Sequence, residues 1–207
     1  MTHDITTLDQ LEVIYGTVDP NSLHKVASTV TAEYGAWISA SRFCVLSTVG
    51  PEGTDGSPRG DDHPVVQIAD ETTLLMPDWR GNNRADSLRN IIRDPRVSLM
   101  FMVPGKTNVI RVNGTAALTQ DPDLMQRFEV KGRQPRLVIR ISVGEIYSQC
   151  ARALIRSGLW SRDDSDLALP SMGDILRAQT SGAVDGKSYD ANWSARAAKT
   201  MWNADAS

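Results

Sequence analysis

The chain has 207 residues, enough for one domain with its own hydrophobic core. Its 22 Lys and Arg residues are nearly balanced by 25 Asp and Glu residues, so no overall positive charge indicates a nucleic acid or a membrane surface as a partner. Two cysteines and three widely separated histidines suit neither a zinc site nor a disulfide framework. We therefore predict one globular domain without a metal site.

The start of the chain and its apolar segments bear on location. The sequence MTHDITTLDQ lacks the charged and apolar regions of a signal peptide. No apolar stretch approaches the roughly 20 residues needed to span a bilayer. We expect a protein of the reducing cytoplasm.

The segment 6–41 has a helical period in two parts. Leu8, Leu11 and Ile14 recur at three-residue spacing, and a second apolar series with a spacing near 3.6 extends to Ile38. The sequence DPNS lies between the two parts and supplies a break and a cap. We predict two N-terminal helices.

The middle of the chain alternates short apolar segments with turns. RFCVLSTVG is followed by the glycine-rich PEGTDGSPRGD, which is typical of a turn, and then by the strand-like HPVVQIAD and TTLLMP. RVSLMFMVPG and NVIRVNGTAALT predict a hairpin around a Pro-Gly turn, and PRLVIRISVGEIYSQC alternates as a strand does. Only the short helices of SLRNIIRD and DPDLMQRFEVKG interrupt these strands.

This order of elements predicts the fold class. Parallel strands need crossovers of a dozen or more residues, which the short connections here do not supply. We predict a mainly β, antiparallel barrel or sandwich with peripheral helices. Three parts make up the single domain: a helical segment at 1–41, a β-rich core at 42–160 and an extension at 161–207. The last stretch, SYDANWSARAAKTMWNADAS, is predicted to be a tail that docks or frays.

The segment MPDWRGNNRADSLRNIIRDPRV places five arginines around the start of a short helix. A helix start has unpaired backbone N–H groups, and arginine adds a planar charged fork, so this composition suits a phosphate. Ser87 is placed to cap the helix. A solvent-exposed turn followed by an Asp-Ser helix cap would have the same sequence, so both interpretations stay open. The candidate donors are Arg80, Asn82, Asn83, Arg84 and the backbone at Gly81.

Arg59 lies in DGSPRGD, at the mouth of the neighbouring strand pair. From that position its side chain reaches toward the same anion. The alternative interpretation of DGSPRGD is a hairpin turn with no role in binding.

The order FCVLSTVGPEGTDGSPRGD, TTLLMPDWRGNNRADSLRNI, RVSLMFMVPG and IRVNGTA resembles the FMN-binding split-barrel family typified by pyridoxamine 5'-phosphate oxidase. The resemblance is strongest to a subgroup with a PDWRGNNR stretch, and it covers the segment 41–160. It implies an antiparallel split β-barrel and a homodimer with FMN at the subunit interface. In that family, arginines from two neighbouring strands and the turn after them hold the FMN phosphate.

Carried over to this sequence, the resemblance implies several site residues. Arg59 resembles the family's strand arginine, and Asn83 and Arg84 resemble its phosphate-turn donors. Asn108 is the expected flavin contact from the other subunit, whereas Arg111 is either a contact or a structural residue. The full set of predicted cofactor-binding residues is Ser57, Arg59, Trp79, Arg80, Asn83, Arg84, Ser87, Asn108 and Arg111.

Some residues leave two interpretations open. Trp79 either packs on the flavin or staples the turn. His63, which precedes a proline, is either a turn residue or a general acid or base. The helix-like series in QCARALIRSGLW either borders the pocket, as in the subgroup, or packs Leu154 and Trp160 on the core. This series consists of Cys150, Arg152, Arg156 and Trp160, and Cys150 is predicted to be a small buried hydrophobic residue.

The sequence departs from the oxidase proper in two places. The oxidase has a lysine at the end of the strand that carries its FMN arginine, whereas this chain reads SPRGDDHPV. SYDANWSARAAKT does not match the oxidase's C-terminal substrate residues. We therefore predict an FMN-dependent oxidoreductase for an unidentified small molecule, with no catalytic residue assigned. The alternatives are a flavin-binding sensor or carrier without turnover, and a split barrel that uses heme or a deazaflavin.

Overall fold

The computed structural model describes residues 3–81, 83–150 and 152–201. In these ranges the chain forms one seven-stranded antiparallel sheet in the order β2-β1-β5-β6-β7-β4-β3. The strands are β1 (Phe43–Gly50), β2 (Gly53–Gly60), β3 (Gln67–Asp70), β4 (Thr73–Asp78), β5 (Arg96–Met102), β6 (Asn108–Thr119) and β7 (Leu137–Cys150). The helices are α1 (Leu8–Tyr15), α2 (Pro20–His24), α3 (Ala32–Ala40), α4 (Asp86–Arg93), α5 (Pro122–Gln126), α6 (Arg152–Ser157), α7 (Met172–Gln179), α8 (Gly186–Ala191) and α9 (Trp193–Thr200).

The sheet curls around one apolar core. Side chains alternate in burial along β1 and β5, so each of these strands turns one row of apolar residues toward the interior. An ion pair joins Arg59 on the edge strand β2 to Asp78 on β4, the strand next to the opposite edge. This arrangement confirms the predicted antiparallel split β-barrel with peripheral helices. The fully buried core residues include Ile38, Leu46, Leu74, Leu99, Phe101, Ile110, Ile139, Ile141 and Ile146.

The N-terminal segment contains three helices, so the prediction of two was wrong. Between α2 and α3 the backbone pairs with the sheet instead of coiling. The Ala27 N–H donates to the Ile146 carbonyl (2.9 Å), and the Val30 N–H donates to the Glu71 carbonyl (2.7 Å). These tertiary hydrogen bonds outweigh the helical period. The predicted cap in DPNS is confirmed, because the Asp19 side chain caps α2.

The glycine-rich PEGTDGSPRGD is mostly a strand, which contradicts its prediction as a turn. β2 pairs with β1 in continuous register from Gly50 opposite Gly53 to Phe43 opposite Gly60. The turn is therefore limited to the two residues between these strands. The ladder with β1 satisfies the β2 backbone groups on that side despite the three glycines, and β2 forms an edge of the sheet. HPVVQIAD also forms less strand than predicted, since β3 begins only at Gln67.

The C-terminal extension forms α7, α8 and α9, and most of α8 and all of α9 lie in the stretch predicted to dock or fray. Ser171 caps α7 in a capping box with Asp174. Gly173 and Gly186 allow α7 and α8 to approach closely, because a Cβ on Gly173 would lie 2.1 Å from the Gly186 carbonyl oxygen. The end of the predicted tail, 202–207, lies outside the described residues. No helix in the described ranges is both long and apolar enough to cross a bilayer.

The two cysteines are expected to react at very different rates. Cys44 is buried in β1, and burial raises the pKa of its thiol to about 12, while the nearby Arg59 charge partly opposes this shift. Cys150 is exposed, against its prediction as a buried residue. We expect a thiol reagent at pH 8 to modify Cys150 at least about a hundredfold faster than Cys44, because only the thiolate reacts. Equal rates in the native protein would contradict this, and Cys150→Ser should remove the fast phase.

Candidate functional site

The arginine-rich segment forms the connection between β4 and α4. Asn83 (φ 62°) and Ala85 (φ 57°) adopt left-handed conformations, which asparagine tolerates better than alanine. Ala85 occupies the N-cap position, and no side chain in the described ranges caps α4. The first N–H groups of α4 therefore lack a side-chain acceptor. Strain of this kind concentrates at functional sites.

A cleft of about 610 Å³ opens beside this connection. It lies between β2, the end of β4, the start of α4 and the segment that enters β7. Six of the nine predicted cofactor-binding residues line it, namely Ser57, Arg59, Trp79, Asn83, Arg84 and Ser87. Its volume falls within the range of about 300–1,000 Å³ that is usual for small-molecule sites.

Arg59 is the most buried of the arginines in the cleft, with 20% of its side chain exposed. Its Nη1 donates to Asp78 Oδ1 at 2.6 Å, and the Asp78 side chain is 13% exposed. Its Nε is buried and has no hydrogen-bond partner within the described part of the chain. A buried donor left without an acceptor costs about 1–3 kcal/mol, and more when it is charged. An acceptor supplied by a ligand would therefore stabilise this arginine.

Carboxylates balance the arginine charges in the cleft. Arg84 Nε is paired with Asp86, and this pair is largely exposed. An exposed ion pair contributes only about 0–1 kcal/mol, so an incoming dianion can replace Asp86 at low cost. Among the described residues that line the cleft, the charged side chains are Asp55, Arg59, Asp78, Arg84, Asp86 and Arg136.

Arg136 is a cleft residue that the sequence did not reveal. It directly precedes β7, and its N–H donates to the Asp78 carbonyl at 2.9 Å. Its Nη1 donates to Asn83 Oδ1 at 2.8 Å, which fixes the side chain of the left-handed Asn83. An arginine just before a strand is a weak sequence signal for a binding site. Arg136 reaches the cleft only because β7 pairs with β4, where Leu137 lies opposite Asp78, 59 residues earlier in the sequence.

Comparison with known proteins identifies the family. The sequence model of pyridoxamine 5'-phosphate oxidase matches residues 30–150, which is more than half of the chain. The chain belongs to the pyridoxamine 5'-phosphate oxidase family. The match includes all nine predicted site residues and Arg136. No curated protein matches the chain.

Solved structures show more distant similarity. HupZ of Group A Streptococcus is 17% identical, over 58% of this chain and 94% of that chain, with a TM-score of 0.49. A putative pyridoxamine 5'-phosphate oxidase of Lactobacillus delbrueckii is 18% identical, over 58% and 95% of the two chains, with a TM-score of 0.47. An FMN-binding protein of Syntrophomonas wolfei is 16% identical, over 68% and 91%, with a TM-score of 0.42. At these values the similarities carry no argument about function.

Three residues that the family resemblance implied do not line the cleft. Arg80 is exposed just beyond it. Asn108 and Arg111 lie on β6, opposite Cys150 and Tyr147 of β7. The Arg111 guanidinium lies over the Tyr147 ring, 5.2 Å from its centroid. Within one subunit these residues have no access to the cleft, and their contact with a cofactor stays a prediction.

The contacts of Ser87 differ from those of a helix cap, and the contacts of Trp79 differ from those of a residue that stacks on a flavin. Ser87 does not cap α4, because it lies inside the helix, two residues after the N-cap residue Ala85, and its hydroxyl donates to Asp55 Oδ2 at 2.7 Å across the cleft. Trp79 Nε1 donates to Asp61 Oδ2 at 3.2 Å, and its indole packs on a small apolar cluster that includes Phe128. These contacts favour the interpretation of Trp79 as a staple of the turn. Asn82 lies outside the described residues.

The segment from Cys150 to Trp160 lies away from the cleft. Cys150 ends β7, and α6 has no buried residue among those described. Trp160 is 38% exposed, and its Nε1 donates to the Lys106 carbonyl at 2.9 Å. The hypothesis that Leu154 and Trp160 pack on the core was therefore wrong. Arg152 and Arg156 are exposed and do not line the cleft.

Proposed function

We propose that the cleft binds FMN through its phosphate and that the protein is an FMN-dependent oxidoreductase acting on a small molecule. The proposal is carried by one observation, the convergence of Arg59, Arg84 and Arg136 with the uncapped start of α4 in a single cleft. Arginine forks and free helix N–H groups are the donors that phosphates prefer in proteins. The family to which the chain belongs supports the same ligand class.

The described residues fit a phosphate. The partnerless Nε of Arg59 gives the cleft a donor that its own side chains do not satisfy. Arg84 and Asn83 add an exposed cation and an amide, and the backbone at Gly81 is open, since nothing lies within 4 Å of a Cβ placed there. Ser57 lies beside Arg59 in β2 and lines the same wall. Phosphate binding is thus shared between two strands and the turn.

FMN, when bound, supplies hydride or electron transfer, and the protein supplies binding, orientation and electrostatics. The described residues that line the cleft include no histidine, lysine, cysteine or tyrosine. Its carboxylates are engaged, since Asp78 and Asp86 pair with arginines and Asp55 accepts the Ser87 hydroxyl, so the described residues offer no unengaged general acid or base at the phosphate end of the site. This observation favours a second candidate function, a flavin-binding carrier or sensor without turnover.

We also propose a homodimer with the flavin at the interface. Val45 on β1 pairs with Met100 on β5, and Met100 pairs with Arg111 on β6, so the three side chains share one face of the sheet. Phe43 adds a partly exposed aromatic ring to that face. A second copy that covers this face in a two-fold dimer would bring Asn108 and Arg111 toward the partner's cleft.

The test is an absorbance spectrum of the purified protein, with the released cofactor identified by mass. Twin flavin bands and FMN in the extract are expected. FMN should bind about a hundredfold more tightly than riboflavin, because riboflavin lacks the phosphate that the arginines hold. A colourless protein that takes up no FMN at micromolar concentration would contradict the proposal.

The same sample separates the alternatives. Rapid anaerobic reduction of bound FMN by NADH or NADPH supports the oxidoreductase, and bound flavin that no nicotinamide donor reduces supports the carrier. A heme or deazaflavin spectrum would assign a different cofactor. Light scattering should give twice the 22.7 kDa of one chain, and a monomer with full flavin occupancy would contradict the dimer.

A further inference from the structure

A second pocket, of about 470 Å³, shares Trp79 as a wall with the arginine cleft. Its apolar surface is formed by buried Val66 and Phe128 and half-buried Ile68. A smaller cavity of about 150 Å³ beside it is lined by Arg59, Asp61 and Trp79. The second pocket is therefore close to the cleft but has a different surface, with a larger apolar share.

Asp61 is the half-buried charged residue of this pocket. Its Oδ2 accepts the Trp79 Nε1–H at 3.2 Å, and its Oδ1 accepts the Asp62 N–H at 2.7 Å. Burial raises the pKa of the Asp61 carboxyl above its usual value, although these hydrogen bonds and the His63 charge oppose the shift. Within the described ranges, no lysine or arginine forms an ion pair with this carboxylate.

The remaining charged groups of the pocket are on its rim. His63, Arg127 and Glu129 are exposed, so water and salt screen their charges. Asp61 is screened less because it is half-buried, and its charge dominates the electrostatics inside. A half-buried carboxylate that faces an apolar wall and has no ion pair with a described lysine or arginine favours a ligand that brings a cation.

We propose that this pocket binds a compact organic cation, a primary amine on an apolar body, with the ammonium at Asp61 and the body on Val66, Ile68 and Phe128. Its volume suits a ligand of one or two rings. The site differs from the phosphate cleft in charge and in surface, so it does not require a phosphorylated ligand. The proposal stands whether or not the cleft binds FMN.

Calorimetry on the full chain, with benzylamine as the probe, tests the proposal. Benzyl alcohol and phenylacetate are matched probes without the positive charge. The variants are Asp61→Asn, which removes the charge, and Asp62→Asn, which removes the neighbouring carboxylate outside the pocket. Asp61→Asn keeps an oxygen for the Asp62 N–H, and the neutral amide avoids the cost of burying a charge.

Benzylamine should bind wild type and Asp62→Asn alike, while Asp61→Asn weakens binding by about tenfold or more. Phenylacetate should not bind. Equal benzylamine affinity in Asp61→Asn, equal binding of phenylacetate, or no binding of benzylamine to folded wild type at millimolar concentration would each overturn the proposal. Titrating the same samples with FMN tests the two proposals independently, because the protein can bind FMN without binding benzylamine, and benzylamine without binding FMN.

Discussion

The Arg59→Ala variant is expected to bind FMN about a hundredfold more weakly than the wild type, a loss of about 2.8 kcal/mol. Arg59 is the most buried arginine of the cleft, so its charge is screened least, and its Nε has no acceptor among the described residues. A phosphate bound there satisfies this donor, and alanine removes both the donor and the charge. Affinity for riboflavin should change much less, because riboflavin has no phosphate.

Loss of Arg59 also affects folding, and this effect has to be separated from binding. The variant leaves Asp78 poorly exposed and without its ion-pair partner, which is expected to cost roughly 2–3 kcal/mol of unfolding free energy. The double variant Arg59→Ala, Asp78→Ala removes both charges and should regain part of that stability. It should not regain FMN affinity. Urea unfolding and FMN titration on both variants measure the two effects independently.

Arg93→Ala is the matched control for Arg59→Ala. Arg93 is an exposed arginine of α4 that pairs with Glu52 and does not line the cleft. Its loss removes one positive charge without touching the proposed phosphate site, so FMN affinity should stay within about twofold. If Arg59→Ala bound FMN as tightly as Arg93→Ala, Arg59 would not donate to the FMN phosphate. Its role would then be limited to the ion pair that closes the sheet.

Local chemistry made much of the cleft predictable. Arg84 and Asn83 are adjacent in the sequence, so the turn that carries them was recognised without knowledge of the fold. Arg59 was suggested by its position in DGSPRGD and supported by the resemblance to the family, and the structure places it in the same cleft. Asn108 and Arg111 show the limit of that resemblance, since their proposed role needs a second subunit, which one chain does not contain.

The residues that sequence reasoning missed depend on long-range pairing. Arg136 reaches Asn83 only because the start of β7 pairs with the end of β4. Ser87 was expected to cap its own helix, but the helix begins at Asp86, after the N-cap residue Ala85, and the fold brings Asp55 on β2 within reach of the Ser87 hydroxyl. Strand pairing also explains β2, whose glycines favour turns in isolation but whose backbone pairs along its length with β1 on one side.

The Gly114→Ala variant is expected to lower the unfolding free energy by about 3 kcal/mol. Gly114 lies in β6 where the register with β7 shifts, and a Cβ at this position would lie 2.0 Å from the Ser142 carbonyl oxygen. The obstruction is backbone, so a side-chain rotation cannot relieve it. Either the β6–β7 ladder moves apart or the strand bends. Both changes weaken strand pairing in the middle of the barrel.

Gly56→Ala is the control for Gly114→Ala, because it adds the same methyl group to a strand glycine with nothing within 4 Å of the new Cβ. It should change stability by less than about 1 kcal/mol, with a small gain from the less flexible unfolded chain. In a thermal melt Gly114→Ala should lower Tm by about 6–12 °C relative to this control. Equal melting temperatures would mean that β6 and β7 accommodate the added methyl group without loss of stability. The close approach of the two strands at this register shift would then not be required for the barrel.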